Sequence, residues 1–399
     1  MTGVAATLGP ISRAERASRA RYAFEHLPRT LDALVLFDDQ YIFYHSGFAF
    51  FPTERPIALI ITRDGGRTLF VPRLEQEHAQ QTSDAEQVVA YPEFPGRPHP
   101  MQHLADLLGT LGLDAARIGV DHDGYPSVMG YDGPALSTQL SSASISRVSR
   151  ALDHQMSLKS EAEVALIRES AHWGAEAHRL LQRYTLVGAT ETEVEARATR
   201  EATAAMTAAI GPGYRGQNRW ISGAVALYRG QIGPNSALPH AMTSGATFQP
   251  GDTLVTGAGA AVWGYISELE RTMFIGEPNA EQRRFFQHML NLQDVAFEAL
   301  RPGRTCAQVD EAVRAYFESE HLWDHWRHHV GHSLGQRIHE SPFLDLGDDR
   351  LLEPSMVLSV EPGLYVPGLG GFRHSDTILI TDTGMEMLTD YPRDLESQR

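Results

Sequence analysis

The sequence of 399 residues contains one cysteine, Cys306. A disulfide within the chain needs two cysteines, and a zinc site built on thiolates also needs more than one, so the sequence excludes both. Cys306 lies in RPGRTCAQVDEAVRAYF, where we expect it to be an early helix residue that packs in the core. A nucleophilic role for its thiol is the alternative.

Long apolar runs and a surplus of basic residues are also missing. No apolar run approaches the roughly 20 residues that a membrane helix needs, and the first residues lack the cationic-then-apolar pattern of a secretory signal. The formal net charge is −16, whereas general nucleic-acid-binding proteins carry basic patches. We therefore expect a cytoplasmic protein that binds neither nucleic acid nor a membrane.

Two patterns divide the chain, which is long enough for two domains. Over residues 1–152, short β-branched or aromatic runs alternate with helical segments, which predicts a small α/β domain. Strands are expected in LDALVLFDDQYIFYHSGF, RPIALIITRDGGRTLFVP and ARIGVDHDG. Residues 153–399 begin with helices, the first of them opened by a capping box at Ser160 and Glu163, and end in strands. The predicted fold class is α+β.

Histidine and glutamate residues collect in four segments of the second domain, each next to glycine. These segments are PHAMTSG, GYISELERTMFIG, HHVGHSLGQRIHESP and SVEPGLYVPGLGGFRHSD. Glu268 and Glu270 are two residues apart, so on a strand their side chains share one face. Charges on a buried face are costly unless a site needs them. Such a distribution is typical of an active site built on a curved sheet.

Three of these stretches, HSLGQRIHESP, SMVLSVEPGLY and GGFRHSDTILIT, resemble the pita-bread family of aminopeptidase P, prolidase, methionine aminopeptidase and creatinase. The first half of the chain is similar to the N-terminal domain of creatinase and prolidase. The resemblance implies a pita-bread catalytic domain over residues 153–399. It also implies a homodimer, in which the N-terminal domain of one subunit borders the site of the other.

The peptidases of this family hold two divalent metals on five ligands, and the resemblance maps these ligands onto Gly257, Glu268, His332, Glu361 and Ser375. Gly257 and Ser375 supply no carboxylate, and a bridged metal pair needs shared carboxylates to offset its charge. We therefore expect no metal and no other cofactor. A single ion on Glu268, His332 and Glu361 stays open, because two carboxylates and one imidazole can hold zinc.

Creatinase, the metal-free relative, carries a glutamate within an ERT tripeptide and a histidine that follows GPN. This chain matches them with Glu270 and His240, and matches a second active-site glutamate with Glu361. The resemblance implies that these three residues are catalytic. His240 would be the general acid or base, and the two glutamates would bind a cationic or N–H-rich group. The expected function is a metal-independent, creatinase-like hydrolysis of a C–N bond in a small amidine, guanidino or cyclic amidine compound.

Further residues are expected to bind the substrate, with Arg373 either holding a substrate carboxylate or pairing with Glu361. The expected set is Glu268, His332, His339, Tyr365 and Arg373, together with Phe50 and Arg55 from the N-terminal domain. Two alternative functions remain. One is an Xaa-Pro dipeptidase or aminopeptidase with a reduced or single-metal site, and the other is a non-catalytic binding protein on the same fold.

Overall fold

The computed structural model describes residues 8–28 and 30–399, which divide into two compact units. One unit runs from Pro10 to Gln155, and the other comprises Met156–Arg399 together with residues 8 and 9. Each unit combines helices with β-sheet, so the predicted α+β class is confirmed. None of the helices in the described residues is long and apolar enough to cross a membrane.

The unit that ends at Gln155 is built on a six-stranded sheet with the strand order β4-β3-β2-β1-β5-β6. Neighbouring strands run antiparallel from β1 to β3 and parallel elsewhere in the sheet. Its elements are α1 (Arg13–His26), β1 (Ala33–Leu36), α2 (Asp39–Ser46), β2 (Ala58–Thr62), β3 (Arg67–Pro72), α3 (Gln76–Thr82), β4 (Gln87–Tyr91), α4 (Pro100–Thr110), β5 (Arg117–Val120), α5 (Leu136–Gln139) and β6 (Ser144–Arg147), and α6 (Ser149–Ser157) follows.

The strand expected in the second half of LDALVLFDDQYIFYHSGF is wrong, because these residues form helix α2. Asp38 caps the helix by accepting hydrogen bonds from the backbone N–H groups of Gln40 and Tyr41, and Gly47 ends it with φ at +73°. All eight residues of α2 are buried. A helix without a polar face shows no 3.6-residue alternation, so its aromatic residues resemble a buried strand.

The second unit is built on a nine-stranded antiparallel sheet whose main path is β10-β9-β11-β18-β15-β13-β14, with β7 paired to β9 and β19 paired to β18. Its elements are α7 (Glu161–Tyr184), α8 (Glu191–Ile210), β7 (Ala224–Leu227), β8 (Thr253–Val255), β9 (Gly257–Val262), β10 (Tyr265–Ile266), β11 (Leu269–Glu270), β12 (Thr272–Phe274), α9 (Ala280–Ala299), α10 (Cys306–Ser319), β13 (Gly331–Ser333), β14 (Glu340–Leu344), β15 (Val357–Val360), β16 (Gly363–Val366), β17 (Gly370–Arg373), β18 (Ser375–Ile380) and β19 (Met385–Met387).

Two features expected from the sequence lie at helix starts of this unit. The capping box of Ser160 and Glu163 opens α7. Cys306 is the first residue of α10 and is fully buried in the hydrophobic core. Burial raises the pKa of its thiol to about 12, which fits packing and opposes a role as nucleophile.

The register of the large sheet brings polar residues from three of the four segments singled out in the sequence onto neighbouring strands. Glu270 on β11 lies opposite Ser375 on β18, and His332 on β13 lies opposite Ser359 on β15. Glu361 follows β15 directly, and its backbone N–H bonds to the carbonyl of Val330. Adjacent strands lie about 4.8 Å apart, so residues far apart in sequence converge over one patch of the sheet.

Candidate active site

A cavity of about 420 Å³ opens over this patch of the sheet. Glu268 and Glu270 both line it, as expected for two residues on one face of a strand. The complete lining is Arg229, Pro239, His240, Glu268, Glu270, Arg327, His328, His329, His339, Glu361 and Arg373.

The side chains of Glu268 and Glu361, which line the cavity, converge with that of His332, which is fully buried and does not line it. His332 Nε2 lies 3.6 Å from Glu268 Oε2 and 3.3 Å from Glu361 Oε1. All three residues are buried. Neither His332 Nε2 nor Glu268 Oε2 has a hydrogen-bond partner in the described part of the chain. The other ring nitrogen, Nδ1, lies 3.0 Å from the carbonyl oxygen of Ser333, to which it donates, and this bond directs Nε2 at the carboxylates.

Burial and mutual proximity shift the pKa values of this cluster. Burial, together with the charges of Glu361 and Glu270, raises the pKa of Glu268 to about 7. Burial alone would lower the pKa of His332, but the carboxylates of Glu361 and Glu268 outweigh it and raise this pKa to about 9. Burial alone would raise the pKa of Glu361, but His332 and Arg373 lower it below its usual range. The cluster therefore holds protons at neutral pH that a bound cation would displace.

Both carboxylate oxygens of Glu270, in contrast, already accept hydrogen bonds from arginine side chains of the protein. Its Oε1 accepts hydrogen bonds from Arg229 Nη2 and Arg373 Nη2, the latter at 2.8 Å, and its Oε2 accepts from Arg373 Nε. Arg373 also lies 3.8 Å from Glu361 Oε2, so the expected internal ion pair exists, although Glu270 is its principal partner. Two guanidinium groups therefore occupy the carboxylate that was expected to bind a cationic substrate.

A hydrogen-bonded chain supports Arg373 from behind the cavity wall. Arg373 Nη1 donates to the Tyr365 hydroxyl at 2.8 Å, and this hydroxyl lies 2.7 Å from His328 Nε2. His328 Nδ1 lies 2.8 Å from the carbonyl oxygen of His329 and is therefore the protonated nitrogen, so Tyr365 donates to His328. Tyr365 is fully buried and does not line the cavity, which gives it a positioning role.

The positions of the other two family metal ligands are closed to a cation. Ser375 is buried, and its hydroxyl lies 2.7 Å from the hydroxyl of Ser359. At Gly257, an added Cβ would lie 3.7 Å from Glu270 Oε1 and 3.8 Å from Arg229 Nη2. The space beside Gly257 is thus next to a guanidinium and not next to a vacant carboxylate. These residues do not fit a second metal ion.

The two predicted histidines at the cavity wall are exposed. His240 follows a short 3-10 helix (Gly233–Ala237), and His339 stacks on His332 with ring centroids 3.9 Å apart. Although the residue as a whole is exposed, the stacked face of its ring is shielded from water, and this desolvation and the charge of His332 lower the pKa of His339 to about 4, so its imidazole is neutral at pH 7.

Phe50 and Arg55 belong to the N-terminal unit, where each has partners. Phe50 stacks on Phe48 with centroids 5.1 Å apart. Arg55 pairs with Glu54 and, at 2.9 Å, with Glu93. Their expected role in substrate binding stays a prediction.

The sequence interpretation missed Arg229, Arg327, His328 and His329 as cavity residues. His328 and His329 stand in the histidine-rich segment that had been singled out, so the signal was present. Arg229 gave no local signal, because it reaches Glu270 only through the pairing of β7 with β9, where Leu227 lies opposite Gly257.

The fold and cavity can now be compared with known proteins. Residues 165–382, more than half of the chain, match the metallopeptidase family M24. The chain belongs to family M24. Residues 17–155 match the creatinase/prolidase N-terminal domain, so the predicted combination of this domain with a pita-bread domain is confirmed.

Individual M24 relatives are peptidases. A Xaa-Pro dipeptidase of Pyrococcus furiosus is 39% identical over 163 residues, which cover 41% of this chain and 47% of the relative. Dipeptidase PepE from Mycobacterium ulcerans, known from a crystal structure, shares 27% sequence identity with this chain. The two structures superpose with a TM-score of 0.79, and the match covers 97% of this chain and 99% of PepE. The prolidase of Pyrococcus furiosus is 25% identical with a TM-score of 0.72, covering 94% and 99% of the two chains.

These findings overturn the expected metal-independent, creatinase-like hydrolysis of an amidine or guanidino compound. The family is one of metallopeptidases, and the relatives named above are dipeptidases and a prolidase. The chain is a hydrolase of this family. The alternative function, that of an Xaa-Pro dipeptidase or aminopeptidase, fits these relatives better than the creatinase-like function. The structure supplies a physical reason, since the Glu270 carboxylate that would hold a cationic substrate is already paired with Arg229 and Arg373.

Proposed function

We propose that this protein is a peptidase that uses one divalent metal ion to cleave the bond before proline in dipeptides or short peptides. The observation that carries the proposal is the buried cluster in which Glu268 Oε2 and His332 Nε2 face each other without a hydrogen-bond partner among the described residues. The kinship with Xaa-Pro dipeptidase supplies the substrate class.

The distances from His332 Nε2 to the two carboxylates fit a single ion. Zinc binds imidazole nitrogen and carboxylate oxygen at roughly 2.0–2.2 Å with tetrahedral geometry, which separates neighbouring ligand atoms by about 3.4 Å. His332 Nε2 lies 3.6 Å and 3.3 Å from the oxygens of Glu268 and Glu361. Three protein ligands leave a fourth position open, as in catalytic zinc sites.

Glu268, His332 and Glu361 would hold the ion, and Ser333 fixes the ring of His332 through Nδ1. When bound, such an ion polarises a carbonyl group and lowers the pKa of a water molecule. The residues of the chain transfer the protons and stabilise the negative charge that develops. Water adds to the carbonyl carbon of the scissile bond, and the C–N bond then breaks as the leaving nitrogen gains a proton.

His240 lines the cavity, and its imidazole is the group suited to take the proton that the water loses on addition and to pass it to the leaving nitrogen. Arg229 also lines the cavity, with its side chain 36% exposed, and can donate a hydrogen bond to the oxygen that gains negative charge. The side chain of Glu270 has a positioning role, because it holds the guanidinium groups of Arg229 and Arg373 in place.

The test is hydrolysis of a set of dipeptides that differ only in the second residue, such as Ala-Pro, Ala-Ala and Ala-Gly, after removal of metals with a chelator and return of Mn²⁺, Co²⁺ or Zn²⁺. We expect release of proline from Ala-Pro only after an ion is returned. Creatine serves as the comparison substrate, for which we expect no turnover.

Turnover that is unaffected by complete metal removal would contradict the proposal. A protein that binds the ion but cleaves none of the peptides would instead favour the non-catalytic binding function. The homodimer and the cytoplasmic location stay predictions from the resemblance.

A further inference from the structure

The turn that carries Arg229 is held in a strained conformation at the edge of the cavity. Arg229 has a φ of +55°, a region that residues with a side chain seldom adopt and that often marks a functional site. Two buried or half-buried carboxylates of α8 hold this turn. Glu195 accepts hydrogen bonds from the backbone N–H groups of Tyr228 and Arg229, and Glu191 accepts one from Gly230.

The guanidinium of Arg229 lies next to the position from which an aspartate would hold a second metal ion. Its Nη2 bonds to Glu270 Oε1 and would be 3.8 Å from a Cβ at Gly257. Arg229 Nε is buried and has no hydrogen-bond partner within residues 8–28 and 30–399. The guanidinium therefore occupies a defined place beside the cluster and is not a freely solvated surface group.

Positive charge is already in excess around Glu270 without a metal. Glu270 carries one negative charge between two guanidinium groups, those of Arg229 and Arg373. One oxygen of Glu270 lies within 4.8 Å of oxygens of Glu268 and Glu361, so Arg229 is also close to the proposed ion. A second divalent cation would meet like charge there and would find no free carboxylate.

We propose that the guanidinium of Arg229 stands in for a second metal ion, so that each chain binds one divalent ion at Glu268, His332 and Glu361. The inference rests on the proposed single-ion site but not on the peptide substrate. It explains together the glycine at position 257, the saturated Glu270 and the strained turn. Arg229 supplies a fixed positive charge on the side of the cavity where the peptidases of this fold are expected to carry an ion.

The test is the number and affinity of Mn²⁺ ions bound per chain, measured by equilibrium dialysis with elemental analysis and by isothermal titration calorimetry. We expect one ion per chain for the wild-type protein. Because Arg229 repels a nearby cation, we expect Arg229→Met to bind this ion about tenfold more tightly or better, and Arg229→Lys to bind it with about the wild-type affinity. The matched control is Arg197→Met, since Arg197 is an exposed residue of α8 paired with Glu201. It should leave the affinity unchanged.

Two Mn²⁺ ions per wild-type chain at saturation would overturn the inference without the need for any variant. If Arg229→Met bound the ion with unchanged affinity, the inference would also be overturned, because the charge of the guanidinium would then have no electrostatic effect on the bound ion. Failure of the proposed function gives a different result. One bound ion without cleavage of Xaa-Pro peptides would contradict the proposed peptidase function and still support the role of Arg229. The absence of any bound ion would contradict both.

Discussion

His332 Nε2 lies 3.6 Å from Glu268 Oε2, and neither buried atom has a hydrogen-bond partner in the part of the chain that the structure describes. An unpaired polar atom in the interior costs roughly 1–3 kcal/mol. Glu361 Oε1 completes the group at 3.3 Å from the same nitrogen. The distances from His332 Nε2 to the two carboxylate oxygens are close to the roughly 3.4 Å between ligand atoms of a tetrahedral zinc ion, which gives the unpaired atoms a function, namely to hold that ion.

Removing one ligand should abolish both ion binding and catalysis. For Glu268→Gln or His332→Ala, we expect the ion affinity to fall by more than about a hundredfold, because outer-shell partners alone are worth 10–100-fold. Elemental analysis and the kcat/KM for Ala-Pro measure the two effects. Glu386→Gln is the matched control, since Glu386 is an exposed carboxylate paired with Arg168, and this variant should keep both. Full activity in Glu268→Gln would remove Glu268 from the site.

The affinity for the ion should rise with pH. Glu268, with a pKa of about 7, and His332, with a pKa of about 9, must both lose their protons to bind a cation. Below these pKa values protons compete with the ion, so we expect the affinity to increase by up to about a hundredfold per pH unit below pH 7, where both groups hold a proton, and by about tenfold per pH unit between pH 7 and 8.5, where only His332 does. Calorimetry at pH 7.5 in buffers of different ionisation enthalpy should also show proton release on binding. A constant affinity across this range would contradict the assignment of these ligands.

Glu270→Gln should destabilise the fold. Arg373 has a side chain that is 4% exposed and depends on Glu270 for compensation of its charge, and breaking a buried ion pair costs about 3–5 kcal/mol. We expect a loss of about 3 kcal/mol in the free energy of unfolding, measured by denaturant titration. The double variant Glu270→Gln/Arg373→Met should recover part of this loss. If Glu270→Gln is as stable as the wild-type protein, the account of Glu270 as a structural counter-ion is wrong.

Tyr365→Phe should also reduce stability, because the hydroxyl bridges Arg373 Nη1 and His328 Nε2. Its loss leaves the buried Arg373 Nη1 without this partner, at a cost of about 1–3 kcal/mol, and also removes the partner of the half-buried His328. Tyr22→Phe is the control, since Tyr22 is 38% exposed and the same change should be near neutral. Equal stability of both variants would show that the hydrogen-bonded chain contributes nothing.

Local motifs allowed the fold and much of the cavity to be predicted from the sequence. Glu268, Glu270 and Glu361 stand in short strand-and-turn segments whose pattern is visible without the fold, and all three line the cavity. Arg229 could not be placed, because strand pairing over some 30 residues brings it to Gly257 and Glu270.

That omission bears on the functional interpretation. The creatinase-like function was expected from the missing carboxylates at Gly257 and Ser375 and from the match at Glu270. The pairing of Glu270 with Arg229 and Arg373, which leaves this carboxylate no room for a cationic substrate, could not be seen in the sequence. Helix α2 shows the same limit at the level of the fold. Because α2 is buried on all sides, its sequence lacks the 3.6-residue alternation of apolar and polar residues that indicates a helix. Only the Asp38 cap and Gly47 distinguish it from a strand.

The most direct test of the central claim is anomalous diffraction from a crystal of the Mn²⁺- or Zn²⁺-loaded protein, recorded on both sides of the absorption edge of the metal. We predict a single anomalous peak per chain, located between Glu268, His332 and Glu361, with Arg229 still bonded to Glu270. No peak at this position, or a second peak beside Glu270, would contradict the account.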